Sequence, residues 1–469
     1  MSLNILEITL KKYWGYNSFR DNQEEIIKNI LEKKDSLILM PTGAGKSLCY
    51  QLPAILSDGL TIVISPLIAL MEEQVQDLRD RNIPTGLLTG SLLPPEHKQV
   101  VKKIDKNIYK LLYLSPEQLN SRKILEVLEH TNISRIILDE VHCISLWGND
   151  FRPEYKNFVL SLKNYKIKSQ IVALTATANL QTRKELINIL NLENPYVYVS
   201  SFDRENIYIG TKRFFTTLGK NIALKNILKE SNKAIIYCKT RDISEELVED
   251  NKKYLKNSAY YHAGMTSEKR NEIQHLFANG GIKYLFATSA FGMGINIEDI
   301  DTVIYWNIPD SLDSYYQGIG RAGRKNNLSA VSYIFYSYDD YRLQKRFIQE
   351  EIPNLDLLKN FLKDLKNNEH RANLKNKYCL SENLFNFIIT SMKQENLVNL
   401  DINSKELKKK LLDIENNYKK LINNKKQKLK EVKKFIFKNS CKRKILLNYF
   451  DEFFESEKCN NCSSCKSLI

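Results

Sequence analysis

The chain is expected to fold as an α/β protein: two tandem lobes with parallel sheets, followed by a helical C-terminal module that ends in clustered cysteines. Three observations predict this. Short β-branched runs alternate with helix-like stretches as far as residue 175, and a similar series restarts after residue 205. Beyond about residue 350 the β-type runs disappear, and Lys, Asn, Leu and Glu dominate through to Tyr449. Alternation of this kind is the signature of βαβ units, whose crossovers make the strands parallel.

In the first lobe (1–205) strands are expected at SLILM (36–40), TIVIS (61–65), RIILD (135–139) and QIVALT (170–175). The second lobe (206–350) supplies AIIYC (234–238), KYLFATS (283–289), TVIYW (302–306) and VSYIFY (331–336). Residues 351–440 form a helical basic segment. From Leu407 the apolar positions recur at Leu411, Ile414, Tyr418 and Leu421, which places one stripe on a long helix. Between Lys405 and Lys444 there are 16 basic and four acidic residues, an excess of 16 − 4 = +12. The residues alone allow two readings of that run, a solvated face or a phosphate-contacting surface. Residues 441–469 form the cysteine module.

The 469 residues, 43% of them hydrophobic, suffice for several cores. The net charge of 70 − 55 = +15 points to a polyanionic partner, nucleic acid before an acidic membrane surface. No apolar run approaches the ~18 residues a membrane span needs. The start, MSLNILEITLKKYWGY, has no basic segment leading into an apolar one. A cytosolic protein is expected, and there the eight cysteines should be free, buried or metal-bound rather than paired.

The first chemical motif is MPTGAGKS, Met40 to Ser47, between the strand SLILM and a helix expected from Leu48. Strand, glycine loop, helix is the setting of a P-loop, in which backbone N–H groups at a helix N-terminus point at phosphates. Thr42, Gly43 and Gly45 shape the loop, Lys46 would neutralise the β/γ-phosphates and Ser47 would ligate Mg²⁺. Met40 stands where the strict pattern has glycine. A second strand end must supply the metal-holding Asp and a neighbour able to polarise water, and Asp139-Glu140 directly follows RIIL. In the second lobe QGIGRAGR places Arg321 and Arg324 three residues apart. On a helix they would share a face and both enter a γ-phosphate site as arginine fingers.

The last motif is Cys441, then Cys459, Cys462 and Cys465, spaced C-x17-C-x2-C-x2-C. Three thiolates on a tight knuckle plus one from a neighbouring helix make a closed Cys₄ zinc site, with an iron–sulfur cluster as the alternative. Cys49, Cys143, Cys238 and Cys379 read as small buried apolar residues.

Together these residues resemble superfamily 2 helicases, and more narrowly the RecQ family. The likeness covers 13–350 and runs through YNSFRDNQ (16–23), VISPLIALMEEQV (63–75), LYLSPEQL (112–119), LDEVHCISLWGNDFRPEY (138–155), ALTATA (173–178), AIIYCKTR (234–241), YYHAGM (260–265), FATSAFGMGIN (286–296) and YYQGIGRAGR (315–324). A Cys followed by basic residues and LLNYF, then three clustered Cys, resembles the RecQ zinc module. The resemblance implies two RecA-like lobes and an ATP-dependent 3′ to 5′ DNA helicase that unwinds forked or junction DNA in recombination, replication and repair. It implies ATP, Mg²⁺ and Zn²⁺ as cofactors. The implied partners are DNA with a single-stranded tail, single-strand-binding proteins and recombination proteins, in a bacterial-type, nucleoid-associated cytoplasmic setting.

Roles follow residue by residue. Tyr16 would stack on adenine, with Arg20 and Gln23 reading its edge. Trp147, Phe151 and Arg152 would form the aromatic loop that couples DNA contact to hydrolysis; in isolation such aromatics are more often core. His142 and Gln317 would link the lobes, and Ser65, Ser115 and Thr288 would track a single strand. Val141, Leu146, Gly318 and Lys325 depart from the family's Ala, Gln, Glu and Asp, and what they put in question is coupling between DNA binding and turnover. The chain as given ends four residues after Cys465, so a short form without winged-helix and HRDC domains is expected. In that form the helical segment, with a helical hairpin or winged-helix-like unit around 378–400, would engage the duplex. An RNA helicase and a non-catalytic scaffold are the rival readings. The zinc tail and aromatic loop argue against the first, and intact Lys46, Asp139, Glu140, Arg321 and Arg324 against the second.

Overall fold

In a computed structural model, residues 3–466 are described apart from 21, 42, 91, 146–168, 292–296, 298, 325–327, 349–351, 368–370, 396 and 402–403. The first lobe opens with α1 (Leu3–Trp14), α2 (Gln23–Leu31), β1 (Ser36–Leu39), α3 (Lys46–Leu56), β2 (Leu60–Ile64), α4 (Ile68–Asp80) and β3 (Thr85–Leu88). It continues with α5 (Pro94–Asp105), β4 (Leu111–Leu114), α6 (Arg122–Glu129), β5 (Ile133–Leu138), β6 (Gln170–Thr175), α7 (Leu180–Leu190) and β7 (Tyr196–Val199). The seven strands run in the order β3-β4-β2-β5-β6-β1-β7, every pair parallel. All four residues of β1 and all five of β2 are buried, because helices cover both faces of a parallel sheet.

The second lobe contains β8 (Ile207–Arg213), α8 (Thr217–Lys229), β9 (Ala234–Tyr237), α9 (Arg241–Asn251), β10 (Ser258–Tyr261) and α10 (Ser267–Ala278). After these come β11 (Tyr284–Ala287), β12 (Thr302–Tyr305), α11 (Leu312–Ile319), β13 (Ala330–Tyr336) and α12 (Tyr338–Ile348). Its parallel sheet has the order β10-β11-β9-β12-β13-β8, which leaves β8 at one edge.

The C-terminal segment holds α13 (Leu355–Lys366), α14 (Arg371–Lys377), α15 (Glu382–Gln394), a single 3₁₀ turn at Leu397–Asn399, α16 (Lys405–Phe437) and α17 (Lys442–Tyr449). Around 378–400 the described residues hold α15 and the 3₁₀ turn, preceded by a turn and loop at residues 378–381; a winged unit would need strands, and none lies among the described residues there. The stripe Leu407, Leu411, Ile414, Tyr418 and Leu421 is buried as expected, and it continues through Leu429, Val432, Phe435 and Ile436. The first half of α16 packs on α15, with Phe387 and Tyr418 rings 4.9 Å apart. Its second half packs on the second lobe, where Phe435 lies 5.6 Å from Tyr315 of α11 and Phe437 lies 4.9 Å from Tyr336 of β13. Ser404 caps its start by accepting from the Leu407 N–H. At its far end the buried Lys442 Nζ donates to the carbonyls of Phe435, Ile436 and Lys438 at 2.7–3.1 Å, a cation placed against the negative end of the helix.

Candidate nucleotide site and cysteine cluster

The glycine loop leaves β1, where the Met40 N–H donates to Thr175 O at 3.1 Å, and enters α3 at Lys46. The helix thus starts two residues before the expected Leu48, which puts the N–H groups of Lys46 and Ser47 in its first, unpaired turn. Gly43 and Gly45 sit at φ +86° and +80°, a region that favours glycine. Met40 is 6% exposed with its sulfur 3.9 Å from Cys49 Sγ, so this departure from the strict motif belongs to the core and leaves the loop intact. Thr42 lies outside the described residues.

β5 delivers the carboxylate pair. Asp139 donates its N–H to Ile64 O of β2 at 2.9 Å, and Glu140 then adopts a left-handed φ of +49°. Strain of that kind persists only where the surroundings enforce it. It turns Glu140 towards the P-loop: Oε1 lies 3.6 Å from Lys46 Nζ and Oε2 lies 3.3 Å from His142 Nδ1. The two carboxyls are driven apart in acidity. Burial and the adjacent Glu140 charge push Asp139 up to about 6. Burial also works to raise Glu140, but Lys46 and His142 outweigh it and hold the carboxylate at about 2. His142 is 3% exposed with Nδ1 2.9 Å from Thr175 Oγ1. Val141, which stands between Glu140 and His142 in the sequence, is buried in the core and removes no polar group.

The second lobe reaches this site through α11 and the turn after it. Gln317 Nε2 donates to Thr177 Oγ1 at 3.1 Å and lies 3.5 Å from His142 Nε2. Arg324 crosses the glycine loop, its Cδ and Nε 3.6 Å from where a Cβ on Gly43 would stand. The expectation that both arginines share a helical face is corrected. α11 ends at Ile319, and Gly323 at φ +62° reverses the chain between them. Arg324 is therefore delivered to the P-loop, whereas Arg321, 8% exposed, lines a cavity of about 170 Å³ in the second lobe with Tyr237, Tyr305 and Gln344. Thr175 and Thr177 were missed as site residues; the signal was ALTATA, hydroxyls placed at the end of a central strand.

Tyr16 is 52% exposed and Arg20 is exposed. Gln23 is buried and both ends of its amide are engaged: it accepts from the Arg20 N–H at 2.9 Å and donates to Ala44 O and Gly45 O at 3.1 and 3.3 Å. It thereby ties the aromatic segment to the P-loop. Ser65 and Ser115 follow the adjacent strands β2 and β4 at 1% and 2% exposure, and each hydroxyl is buried without a hydrogen-bond partner among the described residues. Thr288 follows β11, half-buried. Leu146, Trp147, Phe151, Arg152 and Lys325 lie outside the described residues.

The four sulfurs of Cys441, Cys459, Cys462 and Cys465 lie within 4.8 Å of one another. Four thiolates ~2.3 Å from one Zn²⁺ would stand ~3.8 Å apart, so the cluster fits a single tetrahedral ion. It is too tight to enclose the several metals of an iron–sulfur cluster. Backbone N–H groups support the sulfurs: Lys442 to Cys462 at 3.3 Å, Lys444 to Cys441 at 3.5 Å and Asn461 to Cys459 at 3.4 Å. Burial opposes a charge on Cys462, but the backbone N–H groups of Lys442 and Ser464, with the neighbouring Cys465 and Cys459 thiols, bring its thiol down to about 7. Cys441 is also the N-cap of α17.

Two parallel-sheet lobes, one carrying a P-loop and the other an arginine turn that reaches it, define a chain of the DEAD/DEAH-box helicase type. Family models agree: "DEAD/DEAH box helicase" matches 20–186, "Helicase conserved C-terminal domain" matches 219–326 and "RecQ zinc-binding" matches 402–466, a span that takes in α16 as well as the cysteines. The chain belongs to the RecQ family. It is 40% identical to the ATP-dependent DNA helicase RecQ of Pasteurella multocida, over 73% of this chain and 54% of that one. It is 34% identical to the probable ATP-dependent DNA helicase RecS of Bacillus subtilis, over 98% of this chain and 92% of that one. It thus spans about half the length of the first relative and nearly all of the second. Among solved structures, the helicase MrfA bound to DNA and AMPPNP superimposes with a TM-score of 0.58 at 21% identity, over 73% of this chain and 51% of that one. Yeast Dbp5 bound to RNA and ADP BeF3 gives 0.58 at 16%, over 74% and 93%. At such identities the likeness is one of fold alone. No helix among the described residues is long and apolar enough to cross a membrane.

Proposed function

We propose that the chain is an ATP-dependent DNA helicase that translocates 3′ to 5′ and unwinds forked or junction DNA in recombination, replication and repair, in a nucleoid-associated cytoplasmic setting. The observation that carries the reading is the contact of Gln317 and Arg324 from the second lobe with Thr177, His142 and Gly43 of the first. Lys46 and the N–H groups of the glycine loop bind the β/γ-phosphates, and Tyr16 and Arg20 hold the base. A bound Mg²⁺ would neutralise phosphate oxygens, with Ser47 and Asp139 as its ligands. Glu140, held ionised by Lys46 and His142, polarises the attacking water. Arg324 stabilises charge on the transferring phosphoryl group, and Arg321 joins it when the lobes close. Polarity and junction preference rest on the resemblance to RecQ helicases.

Ser65, Ser115, Thr288 and the aromatic loop with Trp147, Phe151 and Arg152 would track one strand, and the outer face of α16 would engage the duplex. That face is a ridge of exposed lysines, among them Lys405, Lys409, Lys420, Lys426 and Lys430, along a 33-residue helix that is ~50 Å long. The inner face of the same helix is core, so charge substitutions isolate the ridge where a deletion of 355–430 would unfold it. The functional units are 1–205, 206–350, 351–440 and 441–469. ATPase and strand separation measured side by side on single-stranded DNA, forks, Holliday junctions and RNA duplexes test the reading. Turnover stimulated best by RNA would overturn it. Lys46→Ala should abolish DNA-stimulated ATPase and leave salt-sensitive DNA binding intact; retained turnover would refute the P-loop role.

A further inference from the structure

Residues 449–452, Tyr-Phe-Asp-Glu, begin at the last residue of α17 and lie in sequence between the first zinc ligand, Cys441, and the other three. This four-residue turn touches both lobes and the segment that connects them. On the second lobe, Tyr449 Oη donates to Asp313 Oδ2 in the first turn of α11 at 2.6 Å, and Lys428 of α16 lies 3.4 Å from the same carboxylate. Phe450 packs edge-on against Tyr316, the residue before Gln317, at 5.0 Å. On the first lobe, Asp451 Oδ2 accepts from the N–H of Leu180, the first residue of α7, at 2.6 Å, and Phe450 O accepts from Arg183 Nη2 at 2.8 Å. α7 is the helix that follows Thr175 and Thr177. On the connecting segment, the two carboxylate oxygens of Glu452 accept from Ser201 Oγ and from the Phe202 N–H, each at 2.6 Å. Phe202 stacks on Phe450 at 4.5 Å with ring planes 8° apart, and it meets Tyr316 at 5.6 Å.

We infer that Phe450, Asp451 and Glu452 are positioning residues for the hydrolytic site: they fix the angle between α7 and α11, and so the approach of Gln317 and Arg324 to the P-loop. None touches the nucleotide site. They act through the two helices that carry its facing halves. The contacts suit that role better than ordinary surface ion pairs, because the Asp451 carboxylate meets a helix N-terminus and Glu452 is held at both oxygens. Two lobes joined by a single strand of chain must find one mutual orientation at every turnover, and an error of ~1 Å can lower a rate ~100-fold. A third element that grips both lobes and the joint removes most of that search. The groups that would hold nucleotide, Tyr16, Lys46 and the glycine loop, all belong to the first lobe, so the positioning residues govern the closed arrangement rather than the grip on ATP.

The kinetic arm of the test rests on the ATPase reading above; the geometric arm does not. Asp451→Ala/Glu452→Ala, Ser201→Ala and the conservative Glu452→Gln are made in the full chain, with zinc content and Tm recorded. Bioorthogonal dyes at Lys123 and Lys253, exposed on opposite lobes, read closure by single-molecule energy transfer with AMP-PNP and single-stranded DNA. The double variant should broaden the closed-state distribution and lower kcat about 10-fold with KM for ATP within about 2-fold. Ser201→Ala should do so more weakly. Glu452→Gln, whose amide still accepts from Phe202 N–H and donates to Ser201 Oγ, should stay near wild type. A double variant with a narrow closed state and wild-type kcat, or one that only lowers Tm, overturns the inference. Should the double variant not fold, an unbroadened Ser201→Ala overturns it. A wild type without ATPase would sink the helicase reading and leave the inference to the dye measurement alone.

Discussion

Gly318, where relatives in this family are expected to carry Glu, is a place at which the structure sets a number. A Cβ built there would lie 2.1 Å from Tyr305 Oη, 2.9 Å from Tyr305 Cζ and 3.1 Å from Tyr237 Cε2. Tyr305 is held where it is: its ring sits 4.9 Å from Tyr237 and 5.6 Å from Tyr315, and its hydroxyl donates to Ser314 O at 2.7 Å. Gly318→Ala must therefore overpack, at about 1–3 kcal/mol. It must also weaken a buried hydrogen bond worth about 1 kcal/mol. Replacing a helical glycine returns about 1 kcal/mol. The net loss is about 1–3 kcal/mol, a fall in Tm of about 3–10 °C for a lobe of this size. Because Gln317 precedes this residue, the DNA-stimulated ATPase should fall with it. Tyr305→Phe removes the closest atom, so the double variant should recover about half the loss and the cycle should show a coupling of about 1 kcal/mol. Calorimetric melting of the four proteins decides it. An alanine variant that melts with wild type, or two losses that simply add, would refute the account of Gly318 and Tyr305 as a fitted pair.

Three further outcomes are expected. Asp340, 6% exposed, accepts from Lys220 Nζ, Asn307 Nδ2 and Ser337 Oγ at 2.7 Å each, and Lys220 is itself 3% exposed. Asp340→Ala should cost about 3–5 kcal/mol in chemical denaturation, since it strands a buried cation, and a loss under 1 kcal/mol would contradict that burial. Lys420→Ala/Lys426→Ala/Lys430→Ala should lower the slope of log affinity for a duplex against log salt by about 2–3, at about 0.9 for each phosphate no longer neutralised; an unchanged slope would make the ridge a solvated face only. Cys459→Ser should release zinc and lower Tm, with circular dichroism of the two sheets retained at 20 °C; full zinc occupancy in that variant would remove Cys459 from the ligand set.

What could be read from the sequence was what depends on local pattern. The P-loop, the carboxylate pair, the cysteine spacing and the α16 stripe each need only a few neighbouring residues, and each stands where it was expected. Five strands escaped, β3, β4, β7, β8 and β10, because each is short or lies at a sheet edge. β3, TGLL, contains Gly86, which reads as a turn; its lack of a Cβ instead admits Leu112 and Tyr109, both within 2.9 Å of that position. β7, YVYV, is an edge strand with only partial burial. The separation of Arg321 from Arg324 was hidden because spacing on a helix says nothing once Gly323 ends the helical geometry. The pairing of Gln317 with Thr177 and the grip of 449–452 join residues more than a hundred positions apart, and no window of sequence carries such a contact.

The cysteine cluster does more than close a tail. Its knuckle adds to the exposed edge of the second sheet: Ile209 N–H donates to Asn461 O at 3.3 Å and Ser463 N–H to Ile209 O at 2.9 Å. β8 is thereby paired on its outer side, which an edge strand needs if it is not to recruit another chain. From the same cluster α17 begins, and its Arg443 meets Asp203 of the connecting segment and donates to Ile207 O at 2.7 Å. A segment as short as 441–466 cannot bury enough apolar surface to fold alone, and below ~40 residues a metal usually supplies the difference. The ion's stabilisation thus goes into the pose of α16 and α17 on β8 and, through residues 449–452, into the hinge between the lobes. Removing zinc should therefore loosen the coupling of the lobes at temperatures where each lobe, with its own parallel sheet and core, remains folded.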